Sequence, residues 1–229
     1  MDKSNDCFYL CLRKYHHSKM AKSKNAKTID TSTEEKIKKA ARVVFYRKGF
    51  AATRTRDIAE ESGINLALLN YYFRSKEKLF HLIMLETVSG FVQNMTFILN
   101  NEKSSFEKKI ELIASNYIDF IVKEPNIPIF MLSEIRNDAD GLFESLPVLQ
   151  PLMQSVFFKQ HQEYVTKGKI VEPNPFHFLI NLLALTVFPF ISSPLLKLVG
   201  GVSNTQFEMM MQDRKKLIPV WIKAMMKAK

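Results

Sequence analysis

The sequence predicts an all-α protein: an N-terminal three-helix domain with a helix-turn-helix, joined by a long helix to a larger C-terminal helical domain. Three observations predict it. Apolar residues recur at spacings of three and four along most of the 229 residues, and no persuasive strand pair interrupts them. Residues 55–76, TRDIAEESGINLALLNYYFRSK, read as two short helices around a tight turn. Apolar residues make up 46% of the chain and include 18 Phe, enough for a substantial core.

In chain order, residues 1–31 are polar, Lys-rich and aperiodic, and are expected to form a disordered basic extension. Met20 opens a second start, MAKSKNAK, so residues 1–19 read as an upstream addition. The first helix should begin after the capping hydroxyls of Thr31, Ser32 and Thr33, with Glu34 and Glu35 in its first turn. Ile37, Ala40, Ala41, Val44 and Phe45 give it one apolar face as far as Gly49, and Phe50 should tuck beneath the trio. In the helix-turn-helix, Gly63 ends one helix, Ile64 fills the turn and Asn65 caps the next. Leu69 and Phe73, four apart, share the face that packs on Ile58. The head should span 32–80 and the second domain 81–229, with a long helix from Ser75 to about Leu99.

Beyond it, helices are expected at 104–123, 127–137, 146–168, 174–198 and 204–227, with prolines 128, 147, 151, 189 and 194 starting, kinking or ending elements. Between Pro173 and Leu196 there is no Asp, Glu, Lys or Arg. A membrane span fits that length, but His177, Asn181 and two prolines favour a helix buried at a subunit interface. The last helix, with Ile218, Trp221, Ile222 and Met225 on one face, would be its partner in a homodimeric four-helix arrangement.

Charge is unevenly placed. Residues 1–85 carry 18 Lys/Arg against 9 Asp/Glu, the remainder 15 against 14, so nearly all of the +10 lies in and before the helix-turn-helix. Phosphate neutralisation requires that distribution, although a solvated basic face would show it too. Cys7 and Cys11 precede the first helix, so no disulfide staples the body, which suits a reducing cytoplasm. With His16 and His17 they make a poor zinc set, because no predicted element surrounds them.

Four pieces between 33 and 82 carry a resemblance: F-x-x-x-G-F at 45–50, R-D-I-A at 56–59, S-G-I at 62–64, and Y-F-x-S-K-E at 72–77. Together they resemble the DNA-binding domain of the TetR/AcrR transcriptional regulators. The resemblance implies a homodimer that sets its third helix in the major groove of a palindromic operator, and a C-terminal domain with a small-molecule pocket. It assigns DNA contacts to Thr55, Arg56, Asn65, Ala67, Leu68, Asn70, Tyr71, Tyr72 and Lys76. Thr55, Arg56, Tyr72 and Lys76 would meet phosphates. Ala67-Leu68-Leu69-Asn70 departs from the common Gly-Thr-Leu-Tyr, so Leu68 would read a thymine methyl where a hydroxyl is usual. Structural alternatives stand beside these: Arg56 could pair with Glu60, the two tyrosines could be core, and Leu68 could pack on the first helix.

The middle helices are rich in bulky side chains, and Phe97, Asn116, Tyr117, Phe120, Phe130, Phe157 and His161 are candidates for an apolar or amphipathic effector pocket. No histidine pairing, glycine-rich phosphate loop or nucleophile elbow suggests an enzyme, a metal or a cofactor. The function expected is a cytoplasmic homodimeric repressor released by such an effector. A ligand-independent architectural or partner-regulated DNA-binding protein is the alternative.

Overall fold

The computed structural model describes residues 31–150 and 152–227. Cys7, Cys11, His16, His17, Met20 and the basic extension lie outside them. Among the described residues every regular element is helical, and the chain divides into two compact units that meet at Thr87 and Val88.

The first unit holds α1 (Thr31–Ala52), α2 (Thr55–Ser62), α3 (Leu66–Phe73) and the opening turns of α4 (Lys76–Asn100). The predicted stripe Ile37, Ala40, Ala41, Val44 and Phe45 is buried, as are Ile58, Leu69 and Phe73. Helix α1 starts at Thr31, so the three hydroxyl residues expected to precede it lie within its first turn. Glu34 and Glu35 turn toward Lys38, one helical turn on, which favours helix through those residues. Lys38 also reaches Glu86 of α4 at 2.8 Å, and Arg42 reaches Glu86 and the Thr87 hydroxyl. Burial alone would lower the Lys38 pKa, but hydrogen bonds to Glu35 and Glu86 outweigh it and hold the ammonium above the ordinary lysine value. Gly49 interrupts α1 at φ 74°, ψ 162°, a conformation essentially closed to other residues. Phe50 then turns in against Phe80, with ring centres 4.7 Å apart.

The second unit is built around α5 (Phe106–Lys123), whose buried Phe106, Ile110, Ile113, Ala114, Ile118 and Ile121 recur at helical spacing. Ser105 caps it by accepting from the Lys108 N–H. Against it pack α7 (Val156–Thr166), α8 (Pro175–Ile191) and α10 (Asn204–Met225), through Phe157, Phe178, Leu182, Phe207, Met211, Ile218 and Ile222.

Three expected helices are built differently. The helix at 127–137 continues as α6, Ile127–Ser145, but breaks at Asp138, whose carboxylate accepts the Gly141 N–H and restarts it. The helix at 146–168 is instead two 3₁₀ turns, Pro147–Leu149 and Leu152–Gln154, followed by α7 after Ser155. The helix at 174–198 becomes α8 and α9 (Ser193–Gly200), bent by 71°. Ser192 ends α8 by returning its N–H and hydroxyl to the Phe188 carbonyl, and Pro194 opens α9 where no backbone donor is needed. Among the described residues, α4 alone is a single helix long and apolar enough to cross a membrane; α8 and α9 pass that test only if taken as one bent span.

Candidate nucleic-acid interface

The turn of the helix-turn-helix is set by backbone chemistry. Gly63 sits at φ 63°, ψ 31°, which lets its N–H bond Glu60 O and the Ile64 N–H bond Ala59 O, both at 3.1 Å. Asn65 then caps α3, its Oδ1 accepting the Leu68 N–H at 2.7 Å. Of the residues expected at DNA, Asn65 is therefore also the residue that starts the reading helix.

Helix α3 divides by face. Leu69 and Phe73 are buried, Leu66, Leu68 and Tyr72 are half-buried, and Ala67, Asn70 and Tyr71 are exposed. The three exposed positions share one stripe of the helix. Tyr71 is 63% exposed and meets Tyr72 edge to face at 5.6 Å. Leu68, half-buried, lies between the exposed stripe and the core face. Arg74, the residue after the last turn of the helix, is exposed as well. Spacing alone did not single it out, because the motif leaves that position open.

The cations of this unit differ in their partners. Arg47 pairs with Glu61 at 2.9 Å and Lys48 with Asp57 at 3.0 Å. The Arg54 N–H, and after it Lys48, hold the Asp57 carboxyl below the usual range. Thr55 is half-buried beside it, at the start of α2. Arg56 is exposed and, among the described residues, makes no ion pair with Glu60 or any other carboxylate. The Lys76 ammonium, expected at the phosphates, donates instead to the Phe50 and Thr53 carbonyls at 2.9 Å each and lies over the Phe50 ring. Its sequence position promised surface charge; the end of α1 after Gly49 brings the Phe50 and Thr53 carbonyls within its reach.

The seven residues expected to line an effector pocket do not converge on one cavity. Phe97 is 74% exposed and Phe130 is buried on α6. Tyr117 and Phe120 pack on Phe91, and Asn116 meets Asn94 at 3.2 Å. Phe157 and His161 join a separate aromatic cluster with Phe106 and Phe178. His161 is 1% exposed with Nε2 unpartnered among the described residues, and burial lowers its pKa. Lys109 is wholly buried, donates to Gln160 Oε1 at 2.9 Å, and is likewise lowered by burial. A cleft of about 40 Å³ lies nearby, lined by Ile170, Glu172, Phe178, Asn181, Ile222 and Met225.

A capped reading helix locked on a second helix, with an exposed stripe and cations beside it, defines a helix-turn-helix DNA-binding protein. Residues 37–83 match the family model described as bacterial regulatory proteins, tetR family. The first unit therefore carries a segment similar to the DNA-binding domain of the tetR family of bacterial regulatory proteins, whose members are DNA-binding regulators and not enzymes. Over 171 residues it is 25% identical to a Bacillus subtilis (strain 168) protein described as a probable HTH-type transcriptional regulator, YttP, covering 70% of this chain and 78% of that one. Two solved structures share the fold. HlyIIR, a hemolysin II transcriptional regulator, aligns with TM-score 0.55 at 19% identity, over 87% of this chain and 99% of its own. The regulator FadR from Bacillus subtilis, solved with stearoyl-CoA, aligns with TM-score 0.54 at 16% identity, over 81% and 97%.

Proposed function

We propose that the protein is a homodimeric repressor that occupies a palindromic operator, with the 32–80 region as its reading head and 81–229 as its effector-binding and dimerisation domain. The observation that carries this reading is the exposed stripe Ala67, Asn70 and Tyr71 on a helix whose opposite face is locked by Leu69 and Phe73. Those side chains meet base edges, while Thr55, Arg56 and Tyr72 meet phosphates. Dimerisation is supported by apolar residues left outside on α8 and α10: Phe176, Ile180 and Phe188 on one, Met210, Leu217 and Val220 on the other. A second copy related by a two-fold axis would cover both stripes and pair two reading heads. Such a protein works in the cytoplasm, where its operator is.

An apolar or amphipathic effector is supported by the aromatic interior of the second unit, and the similar fold of FadR, solved with stearoyl-CoA, fits that class. The effector releases DNA by binding the DNA-incompetent arrangement more tightly. The cleft of about 40 Å³ is far smaller than a drug-sized ligand site, which favours either an effector that opens the domain or regulation by a protein partner.

Footprinting of the purified protein on genomic DNA, with and without long-chain acyl compounds, tests the reading. Protection of a two-fold symmetric site, lost on adding the compound, is the expected result. Equal affinity for random duplex overturns the regulator, and specific binding that no compound releases favours the ligand-independent alternative.

A further inference from the structure

We propose that Arg74 is a DNA-phosphate contact at the end of the reading helix, held for that purpose in a backbone conformation that a side chain ordinarily avoids. The proposal rests on the DNA-binding reading above. Arg74 is the one non-glycine among the described residues with positive φ, at φ 57°, ψ −35°. The Ser75 N–H donates across it to the Phe73 carbonyl at 2.6 Å, closing a γ-turn of the rare, strained hand. Glycine would adopt this turn without the steric cost of a Cβ. Strain of this kind persists where the surrounding structure imposes it and clusters at sites of function.

The placement agrees with a contact to the duplex. Ala67, Asn70 and Tyr71, at i, i+3 and i+4, are exposed on one face of the helix, and Arg74, the residue that follows its last turn, is exposed as well. Arg74 thus stands at the C-terminal end of the helix whose exposed stripe faces the groove. In a helix-turn-helix the N-terminal part of the reading helix reaches the base edges. A long cation at its C-terminal end therefore meets the flanking backbone. The guanidinium is also uncommitted: like that of Arg56, it has no hydrogen bond or ion pair among the described residues, whereas Lys38, Arg42, Arg47, Lys48 and Lys76 are all engaged within the unit. Arginine's planar fork matches a phosphate with two parallel hydrogen bonds.

The test uses the full-length protein and a duplex that the wild type selects from a random pool, with affinity measured from low to physiological salt. Arg74→Ala should bind about tenfold more weakly to selected and random duplex alike. The slope of log affinity against log salt should shrink by about two, one phosphate for each subunit of a dimer. Arg74→Lys should keep most of the slope. Arg74→Gly should lose affinity as alanine does while its melting midpoint rises by about 2–4 °C, because the turn is relaxed. If the wild type selects a site and Arg74→Ala keeps its affinity and salt slope, the phosphate contact is overturned while the regulator stands. A changed base preference in Arg74→Ala overturns the assignment to phosphate. If the wild type selects no site, the regulator reading falls and the contact with it.

Discussion

The ammonium of Lys76 donates to the carbonyl of Phe50 at 2.9 Å and stands 4.3 Å from the centre of that residue's ring. One lysine at the start of α4 thus closes the end of α1, since it also holds the buried Thr53 through its carbonyl. Lys76→Met keeps the stem and removes the donors, so the Thr53 carbonyl loses this partner and the Phe50 carbonyl keeps only the Thr53 N–H at 3.3 Å. The head should lose about 1–3 kcal/mol, read as a lower denaturant midpoint for its unfolding with an unchanged slope.

Gly63 makes the turn between α2 and α3 at φ 63°, and an added Cβ would meet nothing closer than the Lys36 ammonium at 3.9 Å. Space is available, so Gly63→Ala isolates the backbone cost, about 1–2 kcal/mol. Asparagine tolerates this conformation better. Thermal melts should rank the wild type above Gly63→Asn and that above Gly63→Ala.

His161 sets a pH dependence whose sign follows from its burial. Burial holds its pKa below the ordinary value, with Glu172 acting in the opposite sense. In the unfolded chain the imidazole takes up a proton near pH 6.5, whereas the folded chain does so only at lower pH. Between those two values the unfolded state binds more protons, so stability is full above about pH 6.5 and falls as the pH drops toward the lowered value. His161→Leu, which fits the cluster of Phe106 and Phe178, should flatten that part of the stability-pH curve.

The exposed Ile180 lies midway along the apolar stripe of α8. If that stripe meets a second copy, Ile180→Glu places a charge without a partner in the interface from both sides. The dimer dissociation constant should rise by about 100-fold or more, measured by sedimentation equilibrium, with loss of operator affinity in parallel.

Much of the head was legible in the residues because its elements are short and locally specified. Asn65 capping Leu68 and Gly63 turning out of α2 are interactions within three or four residues, so spacing reveals them. The buried set Ile58, Leu69 and Phe73 followed from helical periodicity. Periodicity could not separate α8 from α9, because the uncharged run continues through the 71° bend, and prolines 189 and 194 mark a break without giving its angle. Nor could it group the aromatic residues. Tyr117 with Phe91, and His161 with Phe178, are partnerships made across helices.

Helix type, turn chemistry, the family's motif and the concentration of positive charge in the first third of the chain are all written in neighbouring residues, since each depends on contacts a few positions apart. Which cations remain available to a phosphate was decided by packing. Lys76 and Arg74 stand two residues apart, yet one is drawn inward by carbonyls 23 and 26 positions away and the other is left outside by a strained turn. Partners that distant in sequence come within reach of a side chain only once the helices have packed.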